Sequence, residues 1–217
     1  MATPSPAPEP ATEFFQTRRL RVRPFRVTDV EVFAAYRADP AVARYQSWST
    51  YSVERARALI DSMRGVTPGA PGQWYQFALE RLEDATLVGD LALKVNDREP
   101  SEAEIGFTLA AEHQGNGYGT EAVERLLDYA FGTMGLRRLI AVTDALNDAA
   151  ASLLTRVGMR REAHFLENVY FKGAWGSEFV FAMLRHEWAG SRTPTAGEIT
   201  TSLTASGDAR SPHPSVP

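Results

Sequence analysis

Cysteine is absent from the 217 residues of this chain, and histidine occurs only four times. The lack of cysteine excludes a disulfide-stabilised scaffold, a thiolate zinc site, an iron–sulfur cluster and a cysteine nucleophile. The histidines are far apart and show no metal-ligand spacing, so no metal site is expected. No apolar run approaches the roughly 20 residues that cross a bilayer. The sequence begins without the basic and apolar regions of a secretion signal, which predicts a cytoplasmic protein that does not bind membranes.

An excess of positive charge is also missing, as are aromatic residues at both chain ends. The formal net charge is −4, whereas nucleic-acid binding needs a basic surface, so no nucleic-acid partner is expected. Residues 1–11 hold four prolines, and residues 189–217 hold four more with ten Ser or Thr. Such segments bury too little apolar surface to offset chain entropy and are predicted to be disordered tails. Residues 12–188 contain every aromatic residue and predict one domain.

Strand and helix patterns are mixed within this domain. Helices are predicted to begin near Val30, Ser52, Thr120 and Ala149. Because the last two helices flank a strand, the pattern indicates an α/β fold with a mixed central sheet flanked by helices. Arginines alternate with apolar residues over 19–23, and we expect these arginines to lie on a solvated strand face. Strands are predicted over residues 19–23, 74–80, 87–95, 104–109, 139–143, 165–171 and 178–184.

A glycine-rich loop stands between the strand at 104–109 and the amphipathic helix after Thr120. The first amides of a helix have no internal partners and lie at the positive end of its dipole, so they can bind a phosphate or pyrophosphate. A Walker loop is excluded because no Lys-Ser or Lys-Thr pair follows the last glycine, and the dinucleotide pattern fails because its third glycine position is Thr120. A glycine-rich turn without a ligand is the alternative.

The spacing Gln114-x-x-Gly117-x-Gly119 resembles the Q/R-x-x-G-x-G/A loop of the GNAT N-acetyltransferases, which binds the pyrophosphate of acetyl-CoA. The likeness extends over residues 14–188. Segments 17–24, 39–45, 104–107 and 158–162 are similar to the branch of ribosomal-protein alanine N-acetyltransferases (RimJ- and RimL-like). The resemblance implies a single GNAT-like domain in which strand 104–109 splays from strand 139–143 and the gap holds acyl-CoA.

The resemblance also implies the cofactor-binding residues. The loop amides would hold the pyrophosphate, the backbone of Thr108 and Leu109 would bind the pantetheine arm, and Asn147 would lie near that arm. Arg156, Arg160 and Arg161 are candidates for the outer phosphates, although a solvated helix end explains each of them more readily. The complete implied set is Thr108, Leu109, Gln114, Gly115, Asn116, Gly117, Tyr118, Gly119, Thr120 and Asn147.

The implied reaction is direct attack of a primary amine on the acetyl-CoA thioester in a ternary complex. The acceptor would be a protein N-terminus or a small-molecule amine, and a homodimer is compatible with the sequence. Glu104 is the candidate catalytic base, since a carboxylate near the acyl group can take the amine proton. Glu102 and Glu167 are weaker candidates, and an edge carboxylate that only orders the strand explains Glu104 equally well. Trp48 is predicted to line the acceptor site.

The sequence departs from the family pattern at two positions. Ala150 stands where many relatives carry a serine, and Leu154 stands where many carry a tyrosine that acts as general acid. Ser152 and Tyr170 offer hydroxyl groups, but neither is at the family position. These departures leave open a non-catalytic acyl-CoA-binding module. Within the enzymes, an antibiotic or polyamine acetyltransferase is a further alternative.

Overall fold

The computed structural model describes residues 13–191, so most of both predicted tails lies outside the described residues. The strands of the described part are β1 (Phe15–Gln16), β2 (Leu20–Arg23), β3 (Trp74–Arg81), β4 (Leu87–Val95), β5 (Glu102–Leu109), β6 (Arg138–Asp144), β7 (Arg160–Phe171) and β8 (Ala174–Leu184). Its α-helices are α1 (Val30–Ala38), α2 (Pro40–Ala43), α3 (Val53–Ser62), α4 (Tyr118–Asp128), α5 (Asp148–Arg156) and α6 (Arg185–Ser191). None of these helices is long and apolar enough to span a membrane.

The strands of the described residues form one sheet in the order β1-β2-β3-β4-β5-β6-β8-β7. Only β5 and β6 pair in parallel, and every other neighbouring pair is antiparallel. The predicted α/β fold with a mixed sheet is therefore confirmed. The parallel pair exists because the chain leaves β5, runs through α4 across the sheet and returns as β6.

The core lies between the sheet and the helices. The apolar face of α4 is fully buried, as its helical spacing predicts, with Val123, Leu126 and Leu127 at 0–2% exposure. After Asp128 the helix continues as a π-helical turn over Tyr129–Thr133. On α5, Leu154 is also buried. The helices and the central strands thus form a rigid support for the β5–β6 pair.

Sequence patterns located some elements only partly. The strand β7 begins at Arg160, five residues before the predicted start at 165. It is an edge strand whose side chains are mostly exposed, so its first residues carry little apolar alternation and the sequence pattern did not reveal them. The helix α6 was not predicted, and its last three residues fall in the segment predicted to be a tail. The short β1 and α2 were also missed, since two to four residues carry no readable period.

The expectation of solvated arginines on the second strand is wrong for Arg23, which is only 2% exposed. Its guanidinium forms buried ion pairs with Glu80 on β3 and with Asp29 at the start of α1, both at 2.7 Å. Arg21 and Arg26 reach the same Glu80 carboxylate at 2.7 and 2.9 Å. The alternation in the sequence was read correctly, but the face that carries Arg23 is covered by the α1 segment.

We expect acid to weaken the fold partly through Glu80. Burial alone would raise the pKa of Glu80, but the hydrogen bonds and charges of Arg23, Arg21 and Arg26 outweigh it and hold the pKa below its ordinary value. A carboxyl group with a lowered folded-state pKa contributes stability above its unfolded pKa of about 4.3, and this contribution is lost as the pH falls through the folded pKa. The free energy of unfolding should therefore fall between about pH 5 and pH 3.

Urea unfolding of the Glu80→Gln variant measures this contribution. The variant should lose about 1–3 kcal/mol at pH 7, because hydrogen bonds to a charged group are broken, and clearly less at pH 3. The matched Glu83→Gln variant, in the exposed turn after β3, should lose little at either pH. Equal losses for Glu80→Gln at both pH values would contradict the assignment.

Candidate functional site

The strands β5 and β6 are hydrogen bonded at one end and separate at the other. Their parallel pairing covers three residues of each strand and ends at Glu104 opposite Ile140. Beyond that point β5 stays paired with β4 as far as Leu109, and β6 stays paired with β8 as far as Asp144. A gap therefore opens within the sheet, and the splayed strand pair implied by the resemblance is present.

Main-chain groups of Phe107 and Leu109 face this gap. The Ala110 N–H donates to the Val88 carbonyl (3.0 Å), and the β4–β5 pairing continues from there without a register shift. Backbone groups of successive residues in an antiparallel pair point alternately to opposite sides, so those of Thr108 are directed at β4. A ligand in the gap could therefore hydrogen bond to the backbone of Phe107 and Leu109, but not to that of Thr108.

The glycine-rich loop leads directly into α4. Gly115 and Gly117 have φ angles of 76° and 79°, in the left-handed region that favours glycine. Gly117 is the N-cap residue of α4, and no side chain caps the helix there. The Glu121 N–H donates to the Gly117 carbonyl (3.1 Å), so the amides of residues 118–120 have no partner within the helix. These amides and the helix dipole form a site that can bind an anion.

Other loop residues have structural contacts that hold this shape. The Gln114 Nε2 donates to the Leu109 carbonyl at the end of β5 (3.0 Å). The Asn116 amide donates to the carbonyl oxygens of His113 and Gln114, which closes the turn. A Cβ atom at Gly119 would lie only 2.8 Å from the Leu153 Cδ1, so glycine allows α4 to pack closely on α5. The loop is therefore fastened to β5 and to α5 before any ligand binds.

Arginines surround the start of α4. Arg19 donates to the Asn116 carbonyl (3.0 Å), forms an ion pair with Glu121 (2.7 Å) and lies 4.5 Å from the Tyr118 ring. Arg156 donates to the Thr120 hydroxyl (3.3 Å). Within residues 13–191, Arg156 has no carboxylate partner, so its charge is available at the loop.

The other two predicted phosphate ligands lie on β7 and have different neighbours. Arg160 pairs with Glu162 and Glu187, and Arg161 lies 4.5 Å above the Phe179 ring. The partners of these two arginines thus belong to β7, β8 and α6, whereas Arg156 contacts Thr120 at the start of α4. Of the three candidates, Arg156 is therefore the one that the structure brings to the start of α4.

A cavity of about 820 Å³ lies beside the gap. Its walls come from the segment between α2 and α3, from α3, from β3–β5 and from the strands beyond the gap. The Lys172 ammonium, at the β7–β8 turn, donates to the carbonyls of Ala43 and Arg44 at the end of α2 and so ties two walls together. Four predicted site residues line the cavity, namely Trp48, Glu104, Thr108 and Asn147.

Glu104 lies where the gap begins. Its carboxylate is 3.4 Å from the Lys94 ammonium, which in turn lies 4.9 Å from the Trp74 ring. About a quarter of the Glu104 side chain is exposed, so water reaches it. Glu102 instead pairs with Arg137 and does not line the cavity. Glu167 lies exposed on β7, also away from the cavity lining.

Trp48 belongs to an aromatic wall built around a buried arginine. Its indole N–H donates to the Arg37 carbonyl (2.9 Å), and its ring packs edge-on against Tyr51 (5.4 Å). The Arg37 guanidinium lies 4.5 Å from the Trp48 ring and 4.5 Å from the Phe33 ring. These contacts hold Trp48 in the cavity wall, where the resemblance places an acceptor-site residue.

The same arginine forms an ion pair beneath the cavity. Arg37 contacts Asp90 of β4 at 2.6 Å, and the Tyr36 hydroxyl donates to the other Asp90 oxygen at 2.6 Å. Burial alone would lower the pKa of Arg37, but the Asp90 carboxylate outweighs it and raises the pKa. Burial also raises the pKa of the Tyr51 hydroxyl, so this group stays neutral at physiological pH. The floor of the cavity therefore carries a permanent guanidinium charge.

Asn147 begins α5 at the mouth of the gap. Its side-chain oxygen accepts from the Ala150 N–H (3.1 Å), which leaves the amide NH₂ for a ligand. Ala150 and Leu154 follow on the cavity wall, so the family hydroxyl groups have no replacement at these positions. The exposed Ser152 and Tyr170 do not line the cavity. The hydroxyl groups that do line the cavity belong to Tyr45, Ser47, Tyr51, Thr108 and Thr143.

Several lining residues were missed by sequence reasoning. Asp90 had a signal, because a carboxylate among the apolar residues of strand β4 has to find a buried partner. Arg37 had none, since its contacts depend on how α1 packs on the sheet. The missed charged and aromatic residues are Arg37, Tyr45, Arg55, Asp90, Phe107, Asp144, Phe171 and Glu178. Groups of three or more metal-ligating side chains are absent from residues 13–191.

Comparison with known proteins agrees with this geometry. A family model described as "Acetyltransferase (GNAT) domain" matches residues 19–160. The uncharacterized N-acetyltransferase p20 of Bacillus licheniformis is 29% identical over 179 residues, which cover 82% of this chain and 99% of that protein. YdaF of Bacillus subtilis (strain 168), provisionally named a ribosomal N-acetyltransferase, is 29% identical over 111 residues, which cover 51% of this chain and 61% of that protein.

A solved structure shares the fold. The spermidine N-acetyltransferase of Vibrio cholerae, determined in complex with CoA and spermine, superimposes with a TM-score of 0.69 at 20% identity. The match covers 78% of this chain and 98% of that chain. At this identity the likeness concerns the arrangement of helices and strands alone.

Proposed function

Because the chain belongs to the GNAT family and is an N-acetyltransferase, we propose that it transfers the acetyl group of acetyl-CoA directly to a primary amine. The observation that carries the proposal is the separation of β5 from β6 next to unpaired amides at the start of α4. The acceptor in this proposal is a protein N-terminus or a small-molecule amine, as the resemblance implies.

The residues at the gap fit a diphosphate that carries a polar tether. The uncapped amides before Glu121 and the unpaired guanidinium of Arg156 suit the diphosphate. From Leu109 the gap runs along five residues of β5, roughly 17 Å at the usual rise per residue, to Glu104. Acetyl-CoA supplies a thioester-activated acyl group. The backbone of Phe107 and Leu109 and the amide of Asn147 would orient its tether.

Glu104 is the proposed base. An acceptor amine arrives as ammonium and has to lose a proton before its nitrogen can form the new bond to carbon. The Glu104 carboxylate lies at the inner end of the gap, lines the acceptor cavity and is reached by water. It can therefore accept the proton directly or through one water molecule.

The lack of the family tyrosine at Leu154 is compatible with turnover. The sulfur leaves as a thiolate when the carbon–sulfur bond breaks. A thiol pKa of about 8.5 makes that thiolate stable enough near neutral pH to depart without a general acid, and solvent protonates it afterwards. The rival hypothesis, a module that binds acyl-CoA without turnover, would account for the missing hydroxyl groups at Ala150 and Leu154. It gives no role to the Glu104 carboxylate at the end of the gap.

Two measurements test the proposal. Isothermal titration should show acetyl-CoA binding to the full chain at one site, and a thiol-release assay should show turnover with a panel of peptide N-termini and small amines. Absence of binding at millimolar acetyl-CoA would refute the assignment. Binding without turnover across the panel would support the non-catalytic rival.

A further inference from the structure

The acceptor cavity carries its cations and its accessible carboxylates on opposite sides. Arg37 lies over β3 and β4, where it contacts Gln76 at 3.3 Å and Asp90 at 2.6 Å. Asp144 and Glu178 line the cavity from β6 and β8, beyond the gap. Paired strands are about 4.8 Å apart, and β5 and β6 are further apart at the gap, so the three steps from β4 to β8 separate the two sides by roughly 15 Å or more.

The cationic side has more positive charge than its carboxylate can neutralise. Arg37 is 5% exposed, and its Nε is a buried donor without a partner among the described residues. Arg55 on α3 lines the cavity mouth, 4.8 Å from the Tyr51 ring, and makes no ion pair within residues 13–191. The carboxylate on this side, Asp90, is already held by Arg37 and Tyr36. An anion that entered this end would meet the exposed Arg55 guanidinium, with the edge of the buried Arg37 guanidinium beneath it.

Resting on the acetyl transfer proposed above, we propose that the acceptor is an amine that bears a carboxylate or similar anionic group. This group lies one to two strand spacings, roughly 5–10 Å, from the attacking nitrogen. The ammonium end faces Glu104, Asp144 and Glu178, and the anionic end pairs with Arg55 and the edge of Arg37. A chain rise of about 3.5 Å per residue places an acidic second side chain of a peptide within this range. A polyamine, by contrast, would bring a second ammonium to the arginines.

Matched acceptors separate these cases. Three tripeptide amides with alanine at both ends and Glu, Ala or Lys in the middle carry a negative, neutral or positive second side chain, and spermidine represents the polyamines. Thiol release should give kcat/KM values in the order Glu, Ala, Lys, with at least tenfold between the first and the last. Spermidine should be no better than the Lys peptide.

Arg55→Gln tests the site itself. This exposed substitution should lower kcat/KM for the Glu peptide about tenfold, mainly through KM, and leave the Ala peptide within twofold. Arg57→Gln on the same helix removes an arginine that does not line the cavity and should change neither value.

The outcomes distinguish this inference from the function on which it rests. Acetylation of the Ala peptide with equal rates for all peptides, or a preference for spermidine, would overturn the inference and leave acetyl transfer intact. An Arg55→Gln effect that is the same for the Glu and Ala peptides would also overturn it. Absence of turnover with every acceptor would overturn the proposed function and the inference together.

Discussion

The Glu104→Gln variant should lower kcat by about 10²–10⁴ at pH 7, with the KM for acetyl-CoA changed less than threefold, because a positioned general base contributes about this much. The substitution keeps the size of the side chain at the end of the gap and removes only its ability to take a proton. Steady-state thiol release with a saturating peptide acceptor measures both constants.

A pH series separates a proton acceptor from a residue that only orders the strand. An α-amino group has a pKa of about 7.7–8.0, so raising the pH from 7 to 9 supplies neutral amine from solution. The ratio of wild-type kcat to Glu104→Gln kcat should then shrink by about tenfold, whereas a ratio caused by a purely structural defect would stay constant.

Two carboxylates serve as controls for Glu104. Glu102→Gln on the same strand, which does not line the cavity, should keep kcat within threefold. Glu178→Gln changes a carboxylate that lines the cavity beyond the gap, and it tests whether that group is the base instead. More than a third of the wild-type kcat in Glu104→Gln, at every pH, would remove Glu104 from the proposed reaction.

The part of the site that sequence could predict is local. Gly117 is the N-cap residue of α4 and has a left-handed φ, and the strand, loop and helix follow one another within 27 residues, so their pattern is readable from the chain. The helix face of Val123, Leu126 and Leu127 was predicted for the same reason, since a 3.6-residue period needs no information from elsewhere. The gap itself could be expected only through the resemblance, because strand pairing is a property of two distant segments.

The part that sequence could not predict depends on tertiary packing. Arg23 and Arg37 read as ordinary surface arginines, yet each is at most 5% exposed and pairs with a carboxylate on the sheet. The backbone groups of Phe107 face the gap and those of Thr108 face β4, because the pairing of β5 with β4 sets this alternation. Both features are decided by partners more than ten residues away, which a single sequence does not name.

The Gly117→Glu variant should weaken acetyl-CoA binding at least a hundredfold. The new carboxylate would stand beside the amides of residues 118–120, where the diphosphate is proposed to bind. Two unit negative charges about 5 Å apart repel by about 3 kcal/mol at an effective dielectric constant of about 20, which corresponds to more than a hundredfold. Isothermal titration with acetyl-CoA measures the loss.

A second glycine provides the control for backbone strain. Gly65, at the end of α3, also has a positive φ of 71° and open space around its Cβ position, but it lies far from α4 in the chain and does not line the cavity. Gly65→Glu therefore introduces the same charge and the same strain of about 1–2 kcal/mol without approaching the loop. Similar melting temperatures for the two variants, with binding lost only in Gly117→Glu, would assign the loss to the loop. Unchanged affinity in Gly117→Glu would mean that the diphosphate binds elsewhere, because no arrangement of the uncapped α4 amides could accept it beside that carboxylate.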